Sequence, residues 1–328
     1  MLKSQDLNAV FFGTPAFAVP AFKYLLRGGY NIVAAVTQPE KLAGRQRITM
    51  PSHIKKAASE YHVPVLEPHD LKDDRFLKEF KKINPDIALV AAYGKIIPAE
   101  YLSIPKYGFI NIHPSLLPKY RGPSPIQAAI MNGDDKTGVT IIKVDEKMDH
   151  GPILASQEFS ISLPCRQAGN YEFSDYKTLE KELSEAGGKL LLEILPEYTA
   201  GKTKLTAQNH DQATFTKLLT RHDGKINWDR PAEEIYNRIR ALNPEPGTWT
   251  LWQEKTLNIK VARPSCLEVL PPNIEAQSGT VVNLGNDVAV TTQKCYLILK
   301  QIQLEGRKAM DTRDFINGHP DFLNSRLK

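Results

Sequence analysis

Two hydrophobic periodicities alternate along the first half of the chain. Short runs that are apolar at nearly every position fall at 9–12, 32–36, 63–66, 87–91 and 109–112, and helical spacing fills 15–27, 51–61 and 75–83 between them. A strand without a polar face needs cover on both sides, and helices joining parallel strands by right-handed crossovers supply it. The pattern predicts an α/β domain, a doubly wound and mostly parallel sheet. Two more β-rich runs, 137–144 and 153–161, read as an antiparallel pair around a turn at 149–152. The amphipathic segment 176–198, with Leu179, Leu183, Ala186, Leu190, Leu191 and Ile194 on one side, closes this first domain, residues 1–198.

The texture then changes. Residues 199–211 are polar and aperiodic and read as a linker. In 212–328 a single helical pattern, 232–242, precedes short β-prone runs at 248–252, 257–262, 279–283, 288–292, 296–299 and 301–304. Close-spaced short strands predict a small barrel or sandwich as a second domain.

Bulk properties narrow this little. The 328 residues are 41% apolar and 24% charged, with 42 Lys+Arg against 37 Asp+Glu. That mild excess permits an anionic partner without demanding one. Cys165, Cys266 and Cys295 are far apart and lack C-x-x-C spacing, so neither a disulfide framework nor a zinc site is expected, and a reducing compartment suits them. No stretch has the roughly 18 apolar residues of a membrane span.

The candidate chemistry lies in GFINIHPSLLP. In a strand, Asn111 and His113 face the same way, at the carboxyl end of a central strand, where open α/β sheets bind ligands. An amide can donate to an oxyanion, and an imidazole beside it can handle protons or hold positive charge. Asp149, in KMDHGPIL, would complete the set by orienting the ring. From spacing alone the structural alternative stands beside this one: N-x-H recurs by chance, and Asp before Gly-Pro is ordinary turn chemistry. His113, Asp149 and His150 have no ligand spacing that supports a metal. A dinucleotide enzyme is disfavoured, because Gly13-Thr14-Pro15 supplies one glycine where G-x-G-x-x-G needs three.

The string NIHPSLLPKYRGPSPI, followed by TGVTIIKVDEKMDHGPIL, resembles the signature of the folate-dependent formyltransferases. VFFGTPAFAVPAF, TQPEKLAGRQRITMPSHIKKAA and KINWDRPAEEIYNRIRALNPEPGTWT extend the likeness over most of the chain. The resemblance implies a Rossmann-like catalytic domain and an OB-like barrel. It implies Asn111, His113 and Asp149 as catalytic residues, with Ser115, Leu116, Leu117 and Pro118 lining the site of the donor, 10-formyltetrahydrofolate. The acceptor it implies is the amine of initiator methionyl-tRNA, met by the second domain and by Gly44, Arg45 and Arg47 on the polar loop 38–51. Read by composition alone, that loop is a solvated connection. A cytoplasmic monomer without metal or membrane contact is expected. Within the family, a nucleotide sugar, glycinamide ribonucleotide or water are the rival acceptors; outside it, an RNA-binding module on an inactive scaffold is the rival reading.

Overall fold

The computed structural model describes residues 7–43, 48–161, 175–266 and 277–328. It divides into two compact units, one of Met1–Pro125, Lys136–Ser160 and Thr178–Lys217, the other of Ile126–Asp135, Ile161–Lys177 and Leu218–Lys328.

In the first unit the strands are β1 (Asn8–Gly13), β2 (Asn31–Val36), β3 (Lys41–Ala43), β4 (Ile48–Met50), β5 (Val65–Leu66), β6 (Ile87–Ala91), β7 (Phe109–His113), β8 (Lys136–Lys143) and β9 (Ile153–Ser160). Seven of them form one sheet in the order β5-β2-β1-β6-β7-β8-β9. From β5 to β7 the pairing is parallel, and β8 and β9 add an antiparallel edge. This is the doubly wound sheet that the uniform apolar runs predict. The segment 15–27 starts as a 3-10 turn at Ala16–Ala18 and continues as helix α1 (Val19–Arg27). Helix α2 (His53–Glu60) begins where Ser52 Oγ accepts from Lys55 N, and α3 (Asp74–Ile83) where Asp73 accepts from Arg75 N. Helix α3 stops at Asn84, whose φ of 44° is left-handed. Its Phe76 and Phe80 are buried, and Phe12 packs against Phe80, Tyr93 and Phe109 with ring centroids 5.3–5.8 Å apart. Each such ring contributes about 1.5–3 kcal/mol on burial. A short helix, α4 (Ala99–Leu102), precedes β7, and α5 (Pro125–Met131) and α6 (Tyr176–Thr199) complete the helices up to residue 199.

The segment expected as an irregular loop at 38–51 instead contains a hairpin, β3 antiparallel to β4. Its base is pinned: Gln38 Nε2 donates to Tyr93 O at 2.8 Å, Thr37 and Ser52 hydroxyls lie 2.7 Å apart, and Lys55 bridges Glu40 and Glu67.

The second unit has helix α7 (Ala232–Leu242), strands β10 (Thr248–Trp252), β11 (Lys255–Ser265), β12 (Val281–Leu284), β13 (Asp287–Thr291), β14 (Tyr296–Leu304) and β15 (Met310–Asp311), and helix α8 (Thr312–Gly318). The sheet runs β10-β11-β14-β13-β12, with β15 on β14. Its open edges are joined by the chain terminus. Lys328 and Leu251 exchange two backbone hydrogen bonds on the β10 side, and Val281 N donates to Ser325 O and Asn324 N to Val281 O on the β12 side. A barrel closed this way leaves no long edge to pair with other chains. Two expectations change here. The runs 296–299 and 301–304 are one strand, β14, because the register shift between Ile259 and Ala262 on its partner β11 absorbs the break in pattern. And Cys266 pairs with Cys295 in a disulfide, Cα–Cα 4.7 Å. Antiparallel pairing of Ser265 with Tyr296 makes the two cysteines neighbours, which a 29-residue separation hides. Of the tryptophans, Trp228 and Trp252 are buried in the barrel core, while Trp249 is half-buried with Arg221 and Lys225 over its ring.

Candidate active site

Strand β7 carries Asn111 and His113 to the carboxyl edge of the sheet, two residues apart and so on one face. Asn111 is half-buried and His113 is 4% exposed. Asp149 arrives from the turn between β8 and β9, with a left-handed φ of 49° that costs a non-glycine residue about 1–3 kcal/mol. The turn behind it is shaped for glycine: a Cβ on Gly151 would lie 1.8 Å from the Lys143 carbonyl oxygen.

The Asp149 carboxylate ties the cluster together. Oδ1 accepts from Asn111 Nδ2 at 3.4 Å and lies 3.6 Å from His113 Nδ1. Oδ2 accepts from the Gly122 backbone N–H at 2.8 Å. His113 Nε2 is 3.0 Å from the Tyr120 carbonyl oxygen, which can only accept, so Nε2 carries a proton. A protonated ring also donates from Nδ1, toward Asp149. The 3.6 Å gap exceeds a hydrogen bond and leaves room to tighten around a ligand.

Residues Ser115, Leu116, Leu117 and Pro118 form the turn that leaves β7. Thr140 Oγ1 donates to Ser115 O and accepts from Leu117 N, while Ser115 Oγ donates to Lys119 O. Ser115 and Leu117 are buried and Leu116 and Pro118 half-buried, so the latter two present surface. Gly44, Arg45 and Arg47 lie outside the described residues.

Several members were not singled out from the sequence. Tyr120 and Gly122 supply backbone atoms, and both sit inside the stretch that carries the family signature. Arg121, 3% exposed, donates to Gln208 Oε1 and to His210 Nδ1. Gln208 and His210 come from the stretch read as a linker, and nothing local marks them. Segment 206–216 lies along the first unit instead: Thr206 exchanges backbone hydrogen bonds with Ile153, and Arg121 is bonded to Thr214 and Thr216. His150 is half-buried, bonded to Asp145 at 2.6 Å and stacked on His210 at 3.9 Å. Desolvation, then the positive charges of His150, Arg121 and Lys147, lower the His210 pKa, which keeps its Nδ1 free to accept from Arg121. Among the described residues no group of three His, Cys, Asp or Glu side chains could hold a metal, and no helix is long and apolar enough to cross a membrane.

An amide donor, an imidazole and a carboxylate meet at the carboxyl edge of a doubly wound sheet, a set whose chemistry suits transfer of a carbonyl group. Comparison with known proteins names the family. The formyl transferase pattern matches residues 7–195 and the formyl transferase C-terminal domain matches 218–320. The chain belongs to the formyl transferase family. It is 42% identical over 320 residues to the methionyl-tRNA formyltransferase of Roseiflexus sp. (strain RS-1), covering 96% of this chain and 93% of that one. It is 40% identical to the methionyl-tRNA formyltransferase of Thermodesulfovibrio yellowstonii, covering 94% and 95%. Among solved structures it shares the fold of HypX from Aquifex aeolicus in complex with tetrahydrofolic acid, at 15% identity and TM-score 0.64; the match takes 97% of this chain and 48% of that one, so the chain spans about half of HypX. The N-formyltransferase of Helicobacter canadensis, with folinic acid and dTDP-3-aminofucose, matches at 17% identity and TM-score 0.65 over 89% of this chain and 98% of that one.

Proposed function

We propose that this protein transfers the formyl group of 10-formyltetrahydrofolate to the amine of initiator methionyl-tRNA, with Asn111, His113 and Asp149 as the catalytic residues. The observation that carries the reading is the convergence of Asn111 and His113 on one Asp149 carboxylate. The relatives named above, alike over nearly the full chain, support the acceptor.

The donor set suits a formyl donor. As the uncharged amine adds to the formyl carbon, negative charge grows on the carbonyl oxygen, and the Asn111 amide donates to it. Asp149 accepts the proton that the amine loses. With the Nε2 proton committed to Tyr120 O, His113 turns Nδ1 toward Asp149, and a second proton there would let the ring steady the carboxylate and the developing charge. Collapse breaks the bond to the folate nitrogen, which takes up the proton that Asp149 received from the amine. Leu116 and Pro118 offer half-buried apolar surface to the folate, with Ser115 and Leu117 holding the turn. Gly44, Arg45 and Arg47 are proposed as tRNA contacts, since arginine pairs well with phosphate. The barrel unit is proposed as a second tRNA-binding surface, and the protein as a monomeric enzyme of the cytoplasm.

An acceptor screen tests this. Acid-gel mobility of charged initiator tRNA should show formylation that needs 10-formyltetrahydrofolate, and Arg45→Ala should weaken tRNA use while sparing the folate. Formylation of a nucleotide sugar or glycinamide ribonucleotide instead, or hydrolysis of the donor, contradicts it.

A further inference from the structure

The segment 206–216 carries a buried side chain that grips the Asp149 turn from outside the motif. Gln208, 6% exposed, donates from Nε2 to Asp149 O at 2.9 Å and to Gly151 O at 2.7 Å. Its Oε1 accepts from Arg121 Nη2 at 2.7 Å and Nε at 3.1 Å. The amide has only one orientation, because a guanidinium can only donate and peptide carbonyls can only accept. Arg121 in turn is placed by backbone bonds to Thr214 and Thr216, by His210 Nδ1 and by the Phe215 ring 5.9 Å away. Among the described residues the side-chain acceptors of this buried cation, Gln208 Oε1 and His210 Nδ1, are both neutral.

We propose that Gln208, oriented by Arg121, is a positioning residue for the transfer reaction: it clamps residues 149 and 151 so that the Asp149 carboxylate spans Asn111, His113 and the Gly122 N–H. Asp149 needs such a clamp. Its left-handed backbone is unfavourable for an aspartate, and the turn relaxes unless neighbouring groups over-determine it. Both carbonyls that receive Gln208 belong to that turn, one of them to Asp149 itself. The inference rests on the proposed function for its kinetic readout, and on geometry alone for its structural one.

Gln208→Glu separates positioning from stabilisation. Glutamate keeps the partner for Arg121, and strengthens it with opposite charge, but has no N–H to donate to the two carbonyls. The variant should melt at or above the wild-type temperature, bind the folate donor with unchanged KM, and lose about 100-fold in kcat, the usual cost of a misplaced catalytic group. The double variant Arg121→Met/Gln208→Met, which replaces the network with apolar side chains, should lose kcat to the same extent. Wild-type kcat in folded Gln208→Glu overturns the proposal, as does a drop in melting temperature with kcat intact. Should the wild-type protein not formylate methionyl-tRNA, the function reading fails, and a crystal structure of Gln208→Glu decides this inference. A 149–151 turn displaced from the Gly122 N–H supports it, and an unmoved turn refutes it.

Discussion

In the sheet unit, His113, Arg121 and Gln208 are buried, and each lies within two hydrogen bonds or one ion-pair contact of Asp149. In the barrel unit, Thr248, Thr250 and Asn237 are equally buried, and their bonds close on the scaffold: Thr248 Oγ1 on Ile259 O, Thr250 Oγ1 on Lys328 O, Asn237 Oδ1 on Arg240. Burial of polar groups is therefore no mark of a site by itself. Convergence on a single carboxylate held in a strained turn is, and the two kinds of burial should fail in different ways when disturbed.

The largest separation is expected from Asp149→Ala. It should lower kcat by about 1000-fold, as loss of charge stabilisation at a transfer centre does, while the melting temperature falls only modestly, since alanine must keep the left-handed φ at some cost. Steady-state kinetics beside calorimetry check it, and a large loss of stability with kcat preserved would erase the contrast. Thr250→Val should do the reverse. Thr250 Oγ1 accepts from Trp228 Nε1 at 3.0 Å, and a valine leaves that buried indole N–H unpaired at about 1–3 kcal/mol. At about 2–4 °C per kcal/mol the melting temperature drops measurably, and kcat below the transition stays as it was. The smallest effect is expected at Asp287, ringed by Arg263, Lys300 and Arg313 at 2.6–3.1 Å. The hydrogen bond from Lys300, then its charge and the hydrogen bonds from Arg313 and Arg263, hold its carboxyl below the ordinary range against some desolvation. A depressed folded pKa gives stability that is present above the unfolded value near 3.9 and is lost as pH falls through the folded one. Asp287→Asn should thus melt a little lower than wild type at neutral pH, and the gap should close in strong acid. A gap that persists there would show that packing, not charge, is at stake.

Much of the fold is legible in the sequence because burial on both faces writes itself as uniform apolar runs. Strands β1, β2, β6 and β7 are visible that way, and Leu179, Leu183 and Leu191 give away α6. What the pattern misses is set by pairing. The strands of the β3–β4 hairpin are three residues each, too short to show a period, the residues at 324–328 reach the barrel edges largely through backbone bonds, and Cys266 meets Cys295 only through the β11–β14 register. At the site, Asn111 and His113 are readable because a strand's period of two puts them side by side, and Asp149 because a Gly-Pro turn follows it. Gln208 is unreadable for the opposite reason. Its partners are peptide carbonyls 57 and 59 residues away, and carbonyls leave no trace in a side-chain pattern.

The account stands most directly on Asn111, the amide proposed to meet the developing oxyanion. Single-turnover formylation of initiator methionyl-tRNA from 10-formyltetrahydrofolate by Asn111→Ala should be about 100- to 1000-fold slower than wild type, with folate affinity and melting temperature unchanged. A rate near that of wild type would contradict the assignment of this cluster as the place where the formyl group is transferred.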